Sequence, residues 1–302
     1  MPFLPLTSYF LLLTSYFVGV RYLILRVAGV LAAVYLALCA LVWRYHNRLA
    51  FPGPRTLLPE PEELHIADAE RVAVTTSDGV TLHGWYLKPL PAPSAGRRVP
   101  GLIWFYGNME TVAAIAPVLR HFRPPMTAVL ILDYRGYGEN GASTTEPGLY
   151  QDAEAAWSYL KTRAEVEASR IAVYGRSLGS VPALYLATTK PVRGVVLDSP
   201  FTTARAMAAR HYPFFPQFLM RLSLDNLARA SSLKAPLLVF HGSQDRIAPM
   251  AMGRAIAEAG RGELVEIAGA GHNETYDEGG DGYRDKMWSF LERHLSLPPL
   301  RP

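Results

Sequence analysis

The residue whose surroundings best suit chemistry is Ser177, in Gly175-Arg176-Ser177-Leu178-Gly179. A serine hydroxyl is a poor nucleophile until a base takes its proton. The base in turn needs a carboxylate to orient it, and the oxyanion formed needs N–H donors. The chain offers a candidate for each part. His272, in Gly269-Ala270-Gly271-His272-Asn273, is the candidate base, and Asp245, in His241-Gly242-Ser243-Gln244-Asp245-Arg246, is the candidate acid. The backbone N–H groups of Leu178 and of Asn108, in Tyr106-Gly107-Asn108-Met109, are the candidate oxyanion donors. Asp198 competes with Asp245 because it too follows an apolar run. His241 competes with His272, while Glu274 and Asp277 follow His272 closely and are expected to face solvent.

These residues need particular elements to carry them. Ile171–Tyr174 is apolar and β-prone, and the small-residue segment from Val181 to Thr189 reads as a helix. Strand, tight turn and helix in that order form a nucleophile elbow, in which glycines flank the serine because nothing larger fits. Without that context the pentapeptide would be a chance match in a Gly-rich loop. Asp245 lies just past the strand-like run Leu237–Phe240, and His272 just past Leu264–Ile267. Parallel strands would therefore bring all three side chains to one rim, in the chain order Ser, Asp, His.

The rest of the chain supplies such a sheet. Continuous apolar runs at Leu102–Tyr106, Ala128–Leu132, Ile171–Tyr174, Val195–Leu197, Leu237–Phe240 and Leu264–Ile267 suit strands buried on both faces. Helical stretches lie between or after them, at about 110–122, 150–164, 178–189, 251–259 and 284–295. The alternation predicts an α/β fold with a mostly parallel sheet. Arg71–Thr76 and Val80–Lys88, joined by Ser77-Asp78-Gly79, predict an N-terminal hairpin. Residues 199–235 exceed an ordinary crossover and predict a small cap over the strand ends, its aromatic run His211–Met220 turned inward. Phe214 and Phe215 in that run, with Tyr106 and Phe201, are the residues expected to line a substrate pocket.

The N-terminus is of another kind. Val27–Trp43 is 17 residues without a charge, bracketed by Arg26 and Arg44. As a helix it spans about 26 Å, which snorkelling arginines extend across a bilayer core of about 30 Å. A buried core helix is the alternative, disfavoured by the run's apolar character all round. A cleaved signal peptide fits less well, because the apolar run continues past Ala37-Leu38-Cys39-Ala40 to Trp43. Residues 1–20 are uncharged and repeat Leu-Thr-Ser-Tyr-Phe at 6–10 and 13–17, as a second apolar segment or an extension of the anchor. The division expected is an anchor at 1–49, a linker at 50–70, a catalytic domain at 71–297 and a tail at 298–302.

Charge follows the same division. Residues 1–59 hold five arginines and no acid, leaving 25 basic against 26 acidic residues beyond them. The basic balance thus belongs to membrane flanks and gives no reason to expect nucleic-acid binding. Cys39 is the sole cysteine, so an intrachain disulfide is excluded. Neither a metal-ligand cluster nor a dinucleotide fingerprint is present; the glycines of Asp133-Tyr134-Arg135-Gly136-Tyr137-Gly138-Glu139-Asn140-Gly141 have the wrong spacing and read as a tight loop beneath the site. No cofactor or metal is expected.

From about Phe51 to Leu295 the chain resembles the membrane-anchored α/β-hydrolases related to the human abhydrolase-domain depalmitoylases, including their bacterial and yeast single-pass homologues. The motifs that carry the resemblance are Tyr106-Gly107-Asn108, Asp133 to Gly138, Gly175 to Gly179, Asp198-Ser199-Pro200-Phe201-Thr202-Thr203 and His272-Asn273-Glu274-Thr275-Tyr276. Similar chains are also grouped as serine aminopeptidase-like. The resemblance implies an α/β-hydrolase fold and hydrolysis of a small-molecule or lipid-like acyl substrate at a membrane, without a cofactor. A peptidase with the same triad, and a non-catalytic membrane-bound binding module, are the competing expectations. Two departures stand out: Tyr106 where the family usually has His, and Ser180 where it usually has a second Gly.

Overall fold

The computed structural model describes residues 6–66, 68–94 and 96–296, with the backbone alone for residues 6–9 and 11–13. The expected tail at 298–302 lies outside the described residues. The chain divides into two units, at His46/Asn47. Helix α1 (Leu6–Ala50) runs through the first and four residues past its end; it carries both copies of the short repeat and is interrupted at Tyr45 (φ −114°, ψ 15°). Its stretch Thr14–Ala50, 37 residues of mean hydropathy 2.3 in its most apolar window, is long and apolar enough to cross a membrane.

The second unit is built on eight strands. The antiparallel hairpin β1 (Ala69–Thr75) and β2 (Thr81–Leu87) comes first. There follow β3 (Val99–Phe105), α2 (Ala116–Phe122), β4 (Ala128–Leu132), α3 (Glu146–Thr162), β5 (Val166–Arg176) and α4 (Ser180–Thr189). Then come β6 (Val195–Asp198), α5 (Ala204–His211), α6 (Asn226–Ser231), β7 (Leu237–Gly242), α7 (Met250–Ala259), β8 (Glu263–Ile267) and α8 (Thr275–Leu295). The sheet order is β1-β2-β4-β3-β5-β6-β7-β8, and every pairing from β4 onward is parallel.

The sheet exists because its central strands have no polar face. All residues of β3, β4 and β6 are buried, and helices cover both sides. Leu102, Val129, Leu130, Ile131, Ala172, Val196 and Val239 are fully enclosed. Burial of this size supplies the main stabilisation, at about 25 cal/mol per Å² of apolar surface.

The segment expected as a linker, 50–70, is instead the first layer of the domain. Phe51, Leu58, Pro61 and Ile66 are buried. The Trp85 indole N–H donates to Pro59 O (3.3 Å), and Gly138 N–H donates to Pro54 O (2.8 Å). Apolar residues recurring among the prolines give this segment something to bury, so it lies down.

The cap at 199–235 forms α5, a 3-10 turn at Gln217–Leu219 and α6. Its aromatics are not turned inward as expected. Tyr212, Phe214 and Phe218 are 61%, 84% and 75% exposed, and Phe215 is half-buried. The apolar surface above the sheet is already covered by Phe201, Leu219, Leu222 and Leu224, which leaves the rings no cavity to fill.

Candidate active site

Ser177 ends a strand and begins a helix within three residues, and its backbone shows the cost. Its φ is +47°, a left-handed conformation that a serine adopts only when its surroundings impose it. Close approach explains the flanking glycines. A Cβ at Gly175 would stand 2.4 Å from Gly179 O, and one at Gly179 would stand 2.2 Å from Phe105 O. The turn is therefore closed to any side chain larger than hydrogen at both places, and the hydroxyl is raised above the sheet. Ser180 fills the position of the expected second glycine. Its hydroxyl donates to Ser177 O (2.6 Å) and accepts from Asn226 Nδ2 (2.8 Å), joining the elbow to the first turn of α6.

Ser177, His272 and Asp245 come together in one chain of hydrogen bonds. His272 Nε2 lies 2.9 Å from Ser177 Oγ, and His272 Nδ1 lies 2.7 Å from Asp245 Oδ2. A carboxylate can only accept, so Nδ1 carries the hydrogen and Nε2 is left free to take the serine's proton. Asp245 also accepts at Oδ1 from the N–H groups of Ile247 (2.9 Å) and Ala248 (2.8 Å). Burial works to raise the Asp245 pKa. The hydrogen bonds from His241 and His272, with the Ala248 N–H, outweigh it and hold the carboxyl well below the usual range.

The two competitors are placed differently. His241 is fully buried; its Nε2–H donates to Ala248 O (2.6 Å) and stands 3.2 Å from Asp245, so it supports the acid. Asp198 is also fully buried. It accepts from Thr275 Oγ1 (2.8 Å) and Tyr174 Oη (3.3 Å) and lies 3.6 Å from Arg176 Nε. Burial raises its pKa against the pull of the Arg176 charge. Glu274 and Asp277 are exposed.

The loop that carries Asn108, the candidate oxyanion donor, is held from three sides. Gly107 N–H donates to Glu110 Oε2 (2.6 Å), Asn108 Nδ2 donates to Ala50 O (2.9 Å), and Tyr137 Oη donates to Asn108 Oδ1. The N–H groups of Asn108 and Leu178 meet no acceptor among the described residues. The Gly-rich loop after β4 thus bears on Asn108 through Tyr137, and it lies beneath the site as its spacing suggested.

Tyr106, expected at the substrate, is corrected to a buttress. It is 1% exposed; its hydroxyl donates to Asp133 Oδ1 (2.7 Å) and accepts from Tyr134 N–H (3.1 Å). A phenol reaches from the end of β3 to the end of β4, so the ring lies in the core. Phe201 is likewise buried in the core, where its carbonyl accepts from Asn226 Nδ2 (3.0 Å). Phe214 is corrected to a solvent-facing position by its exposure. Two clefts of about 470 and 290 Å³ lie elsewhere: one by Lys190, Arg193 and Lys234, the other between Val118, Phe122 and Tyr276.

Arg176 is the residue that sequence reasoning passed over. Its guanidinium pairs with Glu110 through Nη1, and Nη2 donates to His272 O (2.9 Å) and Asn273 Oδ1 (3.0 Å). Glu110 accepts from the oxyanion loop at the same time. One buried cation therefore ties the elbow to both neighbouring loops. Its position inside the pentapeptide was the available signal, but nothing in the sequence says which way the side chain runs.

Residues 103–222 match the family described as alpha/beta hydrolase fold. An uncharacterized protein of Mycobacterium tuberculosis is 36% identical over 257 residues, covering 83% of this chain and 88% of that one. An esterase of Pyrococcus furiosus superimposes with a TM-score of 0.66 at 22% identity, over 80% of this chain and 98% of that chain. An acylaminoacyl peptidase of Pyrococcus horikoshii superimposes with a TM-score of 0.60 at 15% identity, over 78% of this chain and 43% of that chain. Esterase and peptidase share this architecture, and similarity at these identities speaks to the fold alone.

Proposed function

This chain belongs to the α/β-hydrolase family, and from that premise we propose that it is a membrane-tethered serine hydrolase of carboxylic esters or thioesters with apolar acyl groups. The observation that carries the reading is the continuous relay from Ser177 Oγ through His272 to Asp245. The apolar helix within Thr14–Ala50 supports the tether.

The reaction follows from the geometry. Ser177 Oγ adds to the acyl carbonyl carbon as His272 Nε2 takes its proton, and the imidazolium is stabilised by Asp245. The oxyanion is met by the N–H groups of Leu178 and Asn108. The tetrahedral centre collapses as His272 returns the proton to the departing alcohol or thiol. An acyl-enzyme remains, and water repeats the sequence to release the acid.

A fluorophosphonate probe should label the full chain, and Ser177→Ala should abolish labelling and short-ester hydrolysis, a loss of about 10⁶-fold, with Tm nearly unchanged. Activity within tenfold of the parent would remove Ser177 as nucleophile. Substrate class is read from kcat/KM across acetyl to palmitoyl esters and thioesters. Each buried methylene contributes about 0.8 kcal/mol, nearly fourfold per carbon until the pocket fills. A flat profile, or best activity on aminoacyl amides, overturns the ester reading in favour of a peptidase.

A further inference from the structure

The loop after α5 is built unlike the rest of the domain's surface. Three rings within seven residues, Tyr212, Phe214 and Phe218, are 61%, 84% and 75% exposed. Soluble proteins rarely leave clustered apolar side chains in water unless something covers them. The segment's own charge has one sign: residues 199–224 contain Arg205, Arg210 and Arg221 and no acid, and Glu146 of α3 meets it only at its far end, through the Ser223 and Leu224 N–H groups.

The root of the loop is fixed. At the end of α5, Arg210 Nε and Nη2 donate to Arg246 O (3.3 and 3.2 Å), and His211 Nε2–H donates to Ile247 O (2.9 Å). Ile247 is itself 42% exposed and lies two residues beyond Asp245. The rings are thereby presented on the same rim as the triad and cannot simply fold back onto the core.

Aromatic rings beside arginines are the combination that settles at the boundary between headgroups and acyl chains. We propose that the 212–218 loop is a membrane-docking element that seats the rim carrying Ser177 on an anionic lipid leaflet. Two observations select this occupant over a protein partner. The cationic flank complements anionic headgroups, and the same chain carries a helix apolar enough to enter a bilayer. The inference rests on the proposed hydrolase only for its purpose, which is to give the site acyl substrates without their leaving the leaflet.

The test uses the full chain with Cys39→Ser, labelled with bimane at Gln217→Cys and reconstituted into phosphatidylcholine–phosphatidylglycerol vesicles. Gln217 is exposed and sits between the rings, so they remain intact. Lys234→Cys, exposed at the opposite ends of the strands just before β7, is the control. Doxyl-labelled lipid should quench the 217 label at least about threefold more than the 234 label. The difference should shrink when phosphatidylglycerol is omitted or salt is raised, and vanish in Phe214→Ser/Phe218→Ser. Equal quenching at both positions overturns the proposal. So does a 217 label shielded by self-association but untouched by the lipid quencher. Every preparation is also assayed on p-nitrophenyl acetate. Hydrolysis without docking removes the docking element alone, whereas docking without hydrolysis leaves it standing and removes the serine-hydrolase reading.

Discussion

Asp198 ends β6, and Asp245 lies three residues past the end of β7, the next strand over. Both are at least nine-tenths buried, and both come after an apolar run, Val195–Leu197 and Leu237–Phe240. Their surroundings push them in opposite directions. Asp245 meets two imidazoles and two backbone N–H groups, which fix its charge in place. Asp198 meets hydroxyls and the flank of one guanidinium whose Nε finds no hydrogen-bond partner. The contrast teaches that burial and strand-end position do not equip an aspartate to orient an imidazole; the ring it faces does. Asp198 serves the site at one remove, since it holds Thr275 at the start of α8, three residues after His272.

The most direct way to break that contrast is to exchange each carboxylate for an amide. Asp245→Asn should lower kcat/KM by about 10⁴-fold, because the amide favours the wrong imidazole tautomer. Asp198→Asn should cost less than about tenfold in kcat/KM while lowering Tm, a difference of at least about three decades between the two. Steady-state ester hydrolysis and calorimetry on both variants decide it, and a reversed order would exchange the roles.

Arg176 sharpens the comparison, because it contacts the Asp198 cluster, the His272 loop and the oxyanion loop at once. Arg176→Gln strands Glu110 and frees the His272 carbonyl. We expect kcat to fall by about 10- to 100-fold with KM within about twofold, since geometry is lost at the transition state and little in binding. Arg176→Lys keeps the charge without the fork and should recover only part of the rate. A change confined to KM would show that the guanidinium touches substrate instead.

A third buried carboxyl extends the contrast to pH, with the smallest effect. Burial raises Asp133 to about 6, against the pull of the Val112 N–H and the Tyr106 hydroxyl. Folding then penalises its ionised form: the penalty is absent below about pH 4 and complete above about pH 6. Asp245 has the opposite sign, stabilising above about pH 4 and losing that contribution as pH falls. Asp133→Asn keeps an oxygen for Tyr106 and Val112, so its Tm relative to the parent should rise between pH 4.5 and 7.5. A difference that does not change with pH would mean Asp133 is ionised at no cost.

Much of this architecture was legible because apolar runs are local signals. Ala128–Leu132 coincides with β4 residue for residue, since nothing polar blurs its ends. The elbow was legible too, because Gly175 answers to Gly179 within the same pentapeptide, although Gly179 answers to Phe105 on a distant strand. The predicted helix at 110–122 shrank to Ala116–Phe122, where Met109 (φ +62°) and the Glu110 contacts keep the preceding turn open. What stayed hidden depends on partners far along the chain. Tyr106 meets Asp133 27 residues away, Arg176 meets Glu110 66 residues away, and Arg55 reaches the carbonyl of Asn140 85 residues away. The aromatic loop departs from expectation for a related reason: hydrophobic composition does not say whether rings pack on the domain's own core, and Tyr212, Phe214 and Phe218 are exposed.

The grip of α5 on the acid loop has an electrical side. Arg246 O and Ile247 N belong to one peptide group, and Ile247 O and Ala248 N to the next. Each plane therefore receives a cationic or ring N–H at its oxygen and offers its own N–H to Asp245 Oδ1. Drawing electron density toward the carbonyl polarises the amide and makes its N–H a stronger donor, by about 10–30% per bond. The two amides thus act as a pair of aligned dipoles, whose positive ends meet the carboxylate bonded to His272. The hold of α5 on these two carbonyls is felt as added stabilisation of the negative charge at Asp245.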